Sequence, residues 1–326
     1  MAKNLPLTFG CGLYDRMVPL YTGEVRAEGI DLNFNVIDSP TEVFARMIDG
    51  EFQAGEMSCS DYLRRTSANN CPFVAIPAFP SRVFRHGMIC VNRRAGIDSP
   101  KDLEGKRVGV PHFPMTAALW IRGLLQREYG VDVTKIVWVQ DAPLRPVGDA
   151  GAMKRTLETK FKIEANESGK PMETLLDEGS IDGFIGADIP EPMRSSPNVR
   201  RLFPNYKELE KEYYLRTKIF PIMHTVVIRR DVYDAHPFVA RSLFDALNGS
   251  KDVAREKMRY MGTLRAMLPW MIAEIEEVDA IFEGDPFVYG LVPNRPTLEA
   301  ALGYLGDQAL LTAPVSLDDA FVDVGS

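Results

Sequence analysis

Short apolar runs, each cut off by glycine, proline or a polar cluster, alternate along the chain with longer stretches in which apolar residues recur at helical spacing. Residues 5–9 read as a first strand stopped by Gly10-Cys11-Gly12, and 30–37 alternates as a second. Ser39-Pro40-Thr41-Glu42 then opens a helix with Val43, Phe44, Met47 and Ile48 on one face. The same pattern predicts strands over 50–57, 73–78, 88–91, 106–110, 136–139, 181–188, 199–203 and 225–228. It predicts helices over 116–129, 172–176, 206–217, 231–260 and 297–308. Residues 143–168, polar and broken by Pro146, Gly148 and Gly151, read as an excursion or flap.

Strands alternating with helices in this way build sheets covered by helices, an α/β architecture. One α/β unit gives way to another through 79–87, and the chain returns through 220–228. The expected organisation is therefore two hinged lobes, 1–86 plus 225–326 and 87–224, with a ligand cleft between them and two crossings at its base.

The chemistry-bearing residues fall at strand ends and crossings, where open α/β sheets hold ligands. The first crossing carries Arg82, Phe84, Arg85 and His86. A guanidinium fork matches a carboxylate in geometry, and imidazole passes a proton near neutral pH. Local ion pairing is the plainer role for such residues. His224 lies in the second crossing, and Tyr14 and Arg16 follow the first strand. Ser58 and Ser60 stand at a helix mouth, where hydroxyls and free N–H groups seat an anion or simply cap the helix. Met115 and Thr116 open the 116–129 helix in the same way, with Trp120 a core residue one turn on. Asp188 ends a strand, Trp270 stands in the tail, His112 is an intermediate case and His236 beside Pro237 starts a helix.

Composition narrows the function classes. The 326 residues are 45% apolar and 25% charged, enough for a large core and for about two domains. A net charge of -7 argues against a nucleic-acid partner, which needs a basic face. No run approaches the roughly 18 apolar residues of a membrane span, and the start lacks the apolar segment of a secretory signal, so a cytoplasmic protein is expected. Cys11, Cys59, Cys71 and Cys90 lack paired spacing and fit reduced, buried thiols, with Cys11 or Cys59 as a nucleophile the lesser alternative.

Several phrases resemble the 4,5-dihydroxyphthalate decarboxylase family. They are Cys71-Pro72-Phe73-Val74-Ala75-Ile76-Pro77, Phe79-Pro80-Ser81-Arg82 with Phe84-Arg85-His86, Gly105 to Pro111, Met115-Thr116-Ala117-Ala118, and Phe220-Pro221-Ile222-Met223-His224. The resemblance runs from the first strand to Asn294-Arg295 and implies a two-lobe fold like that of type II periplasmic binding proteins. It implies cofactor-independent decarboxylation of a hydroxylated aromatic acid, most simply 4,5-dihydroxyphthalate to protocatechuate and CO2.

Such a reaction needs a clamp for the acid groups, a contact for the hydroxyl and a proton donor over the ring carbon. The expected clamp is Arg82 and Arg85 with Ser58, Ser60 and Thr116, flanked by Tyr14, Arg16, Met115, Phe84 and Trp270. His86 or His224 supplies the proton, and Asp188 orients or deprotonates. A divalent metal held by His86, His224 and Asp188 is the lesser alternative. A non-catalytic binding protein for a small aromatic carboxylate is the rival from another class. Whether the chain self-associates stays open.

Overall fold

The computed structural model describes residues 3–141, 157 and 159–325. Strands β1 (Leu5–Cys11), β2 (Ile30–Val36), β3 (Ala54–Ser58) and β4 (Phe73–Arg82) come first. Strands β5 (Ile89–Asn92), β6 (Arg107–Val110), β7 (Val137–Gln140), β8 (Lys162–Ala165), β9 (Gly183–Ile185) and β10 (Val199–Arg201) form a second sheet. The last strand, β11 (Ile222–Arg229), returns to the first sheet, whose order is β2-β1-β3-β11-β4. β1 runs parallel to β2 and β3, whereas β11 lies antiparallel between β3 and β4. Coming back from the other sheet, it enters from the opposite end. The second sheet has the order β10-β5-β9-β6-β7-β8.

Helices α1 (Val18–Tyr21), α2 (Pro40–Ile48) and α3 (Cys59–Ser67) follow strands of the first sheet, and α4 (Thr116–Tyr129) follows β6. Gly55 lets β3 sit against β1, since a Cβ there would lie 2.6 Å from the Gly10 carbonyl oxygen. Phe9, Phe73 and Phe79 are fully buried in the first sheet's core, each contributing about 1.5–3 kcal/mol. The sheets are tied through Trp120 of α4, whose indole N–H donates to the carbonyl of Ile222 at 2.9 Å.

Element boundaries differ from the pattern in informative places. β4 continues through Pro80, Ser81 and Arg82, where a break was expected. It is the edge strand, so the missing N–H groups of Pro77 and Pro80 cost the ladder little, and the Pro77 carbonyl instead accepts from Gly290. The expected excursion contains β8, paired parallel with β7, while 143–156 and 158 lie outside the described residues. The expected 231–260 helix is two helices, Arg230–Ala235 and Phe238–Arg259, separated at His236 because Pro237 cannot continue the first. A helix at Met271–Phe282 was not anticipated. No helix of the described residues is long and apolar enough to cross a membrane.

Candidate functional site

The densest polar arrangement is built on Glu56, a carboxylate in β3 with no exposed surface. Its Oε1 accepts the Tyr14 hydroxyl at 2.8 Å and lies 2.5 Å from Nδ1 of His224. Its Oε2 receives the Gly12 N–H at 3.4 Å and the Cys11 thiol at 3.5 Å. Burial works to raise the Glu56 carboxyl, but His224, Tyr14 and Gly12 outweigh it and hold it below the ordinary value. Burial, reinforced by the neighbouring Glu56 charge, pushes the Tyr14 phenol and the Cys11 thiol upward, so both remain protonated donors. The Cys59 thiol is likewise pushed up by burial, to about 12. Neither cysteine has the depressed value a nucleophile requires.

His224 reaches Glu56 because β11 starts at Ile222 rather than at the expected residue 225. His224 stands opposite Ser58 of β3, and its pairing with β4 is irregular on both sides, a local kink that re-aims a side chain. Phe44 of α2 packs edge-on against the imidazole at 4.9 Å. The ring is partly exposed, with 15% of the side-chain surface open.

Next to His224, the first sheet meets the start of α4. The Ser58 and Ser60 hydroxyls lie 2.9 and 2.8 Å from that of Thr116. Ser60 also donates its hydroxyl to the Pro114 carbonyl at 3.1 Å and its N–H to Thr116 at 3.2 Å. The amino ends of α3 and α4 converge here, with half-buried Met115 as the N-cap of α4. Converging N–H groups and hydroxyls favour an anion.

The remaining candidates lie elsewhere. Arg16 donates to the Pro80 carbonyl at 2.5 Å and places its guanidinium over the rings of Tyr14 at 4.3 Å and Phe287 at 4.8 Å. Arg82 gives both terminal nitrogens to protein, one to Asn294 Oδ1 at 2.7 Å and one to the Phe220 carbonyl at 2.8 Å. Arg85 donates to the Ala187 carbonyl at 3.0 Å and to Met223 Sδ at 2.7 Å. Burial presses both guanidinium groups down to about 10, which leaves them cationic at neutral pH. The expected carboxylate clamp is thus a buried brace for the crossings.

His86 is buried against the edges of Tyr129, Phe203 and Tyr213. Desolvation pushes it down to about 4, and Glu210 is 3.9 Å away. An imidazole kept neutral in this way is a packing residue at pH 7, unlike the donor expected from its place in the crossing. Phe84 stacks on Phe220 at 4.5 Å, Asp188 is exposed and accepts from its neighbour's N–H, and Trp270 is 75% exposed. Among the described residues no three His, Cys, Asp or Glu side chains are grouped to hold a metal ion, so His86, His224 and Asp188 do not converge.

Glu56 is the residue that pattern reading passes over. Its signal was present: at strand alternation Glu56 shares a face with Phe52 and Ala54, where a charge is tolerated only with partners.

Residues 15–159 match the family described as ABC transporter, phosphonate, periplasmic substrate-binding protein. The fold resembles the alkanesulfonate-binding protein SsuA from Xanthomonas axonopodis pv. citri bound to MOPS, with a TM-score of 0.55 at 12% identity over 99% of both chains. In sequence the chain is 35% identical to a 4,5-dihydroxyphthalate decarboxylase of Comamonas testosteroni over 302 residues, 92% of this chain and 91% of the relative. A second, from Pseudomonas putida, is 31% identical over 214 residues, 65% of this chain and 82% of that one. At that identity and coverage, with a periplasmic-binding-protein fold beneath it, the chain belongs to the 4,5-dihydroxyphthalate decarboxylase family.

Proposed function

We propose that this protein is a carboxy-lyase that converts 4,5-dihydroxyphthalate to protocatechuate and CO2, with the His224–Glu56 pair as its proton-delivering centre. The observation that carries the reading is the 2.5 Å contact between a partly exposed imidazole and a fully buried carboxylate, beside a cluster of anion-seating hydroxyls. The names of the two curated relatives support the substrate.

In the substrate each carboxylate has a hydroxyl para to it. Electron push from that oxygen makes the carboxylate-bearing ring carbon basic. His224 as imidazolium delivers a proton to that carbon, the C–C bond to the carboxylate then breaks, and its electron pair restores the aromatic ring. One proton is consumed and one CO2 released. Glu56 holds the imidazole through Nδ1 and stabilises its charge, leaving Nε2 to deliver the proton. Ser58, Ser60, Thr116 and the α3 and α4 amino ends seat the carboxylates, with hydroxyl–hydroxyl contacts exchanged for contacts to the substrate. The scheme calls on no organic cofactor or metal. Free cysteines, three of them buried, fit a reducing cytoplasm. Met261, Met267 and Trp270 are each exposed, and large apolar side chains left open in this way favour self-association, which sedimentation velocity would test.

The fold alone favours a second reading, a binding module without turnover. Incubating the purified protein with 4,5-dihydroxyphthalate and following protocatechuate and CO2 separates the two. Stoichiometric release of both, lost in His224→Gln, is expected. Saturable binding with no product would replace the enzyme by the module.

A further inference from the structure

A cavity of about 450 Å³ lies outside the Glu56 network and the hydroxyl cluster, and of its lining residues Arg16 stacks on Tyr14 of that network. It is enclosed by the Phe238–Arg259 and Met271–Phe282 helices and by the two crossings. Its wall is largely hydrocarbon, from Phe84, Phe220, Met258, Val278, Phe282 and Phe287. That volume is within the range of small-molecule sites, which pair an apolar wall with a few placed polar groups.

The polar groups here are unevenly matched. Arg259 is paired with Asp279, and Glu274 with Lys207. Asp285, however, faces two cations, Lys251 in direct contact and Arg255 with Nε at 3.6 Å. One oxygen of Asp285 also accepts the Phe287 N–H at 2.8 Å. Lys251 has a second, weaker partner in the exposed Asp252. Arg255 makes no hydrogen bond to any described residue, although its side chain is only 26% exposed and lines the cavity. A guanidinium with idle donors at the edge of an apolar chamber is suited to a carboxylate attached to a hydrophobic body.

We infer that this cavity is a second ligand site, for an apolar monocarboxylate whose body fills the Phe84–Phe220–Phe282 wall and whose carboxylate binds Arg255. The inference does not depend on the decarboxylase reading, since it concerns binding at other residues. The probe is 2-naphthoate, with 2-naphthalenemethanol as its uncharged counterpart, titrated by calorimetry.

Naphthoate is expected to bind one to one, and saturating phthalate, an unreactive mimic of the proposed substrate, to change its affinity less than threefold. Arg255→Met should weaken naphthoate at least tenfold while shifting the alcohol less than threefold. Val278→Trp, which fills the chamber, should abolish binding of both. Should the tryptophan disturb folding, seen as a lost thermal transition, the Arg255→Met comparison stands by itself. Non-saturable uptake, an unchanged affinity in Arg255→Met, or stoichiometric displacement by phthalate would each overturn the inference. Turnover is not read, so a protein that fails to decarboxylate leaves this result intact.

Discussion

Replacing Glu56 with glutamine tests the proposed proton-delivering centre with the least disturbance of shape. Four donors point at the carboxylate: His224 and Tyr14 on one oxygen, Gly12 and Cys11 on the other. Gly12 offers an N–H that can only donate, so the new amide NH2 is forced to the other side, toward His224 and Tyr14. It must then donate to Nδ1, which moves the imidazole proton to Nε2 and removes the anion that stabilises imidazolium.

The hydrogen-bond count survives, and the loss is the charge assistance. Hydrogen bonds to charged groups contribute about 1.5–3 kcal/mol against about 1 for neutral ones, so a stability loss of about 1–3 kcal/mol is expected. The rate effect is larger. Disabling a positioned acid lowers turnover by about 100- to 10,000-fold. Because Glu56 has no exposed surface and cannot touch substrate, KM should stay within about threefold. Steady-state release of protocatechuate across pH 5–9 reads this out. The signature is the split: kcat falls with KM nearly unchanged, which a residue acting through His224 produces and a merely structural loss does not. A folded Glu56→Gln enzyme with kcat within threefold of the parent would refute the assignment.

Further outcomes follow from the same geometry. Arg82→Met leaves the Asn294 side-chain oxygen and the Phe220 carbonyl without a donor, so chemical denaturation should register a loss of about 2–4 kcal/mol, and a stability equal to the parent's would contradict the brace role. The Glu210 carboxyl is raised by burial from 4.5 to about 7, so its contribution is present below pH 4.5 and lost as pH rises through 7, with a ceiling of about 3 kcal/mol. Glu210→Gln should therefore exceed the parent in stability at pH 8 and match it at pH 4. His86 has the opposite sign: lowered from 6.5 to about 4, it withdraws stability as pH falls through that window, which His86→Phe should abolish. Dialysis against a strong chelator should leave decarboxylation unchanged, and recovery only on adding a divalent ion would restore the metal alternative.

The two-sheet α/β architecture was legible because it rests on periodicity, and periodicity is local. Val43 and Met47 at helical spacing, or the apolar run at 73–78, carry their meaning within a few residues. The Tyr206–Thr217 helix was bounded correctly, and Ser58, Ser60 and Thr116 do stand at helix mouths, which are also local signals. What failed was the partner of each charge. Arg82 and Arg85 were read as a carboxylate clamp because Asn294, 212 positions from Arg82, and Ala187, 102 from Arg85, carry no mark of their contact in the sequence. His86 and His224 were indistinguishable on paper, each one histidine at a crossing. Only packing separates them: three aromatic edges with the Glu210 carboxylate held off at 3.9 Å for one, a buried carboxylate at 2.5 Å, 168 positions away, for the other. Glu56 follows from the same physics read backwards. An acid in the middle of a buried strand must have partners, and in a chain with four histidines a cationic partner that can also move a proton belongs to a short list. The strand acid, rather than the basic crossing, was the feature from which His224 could have been inferred.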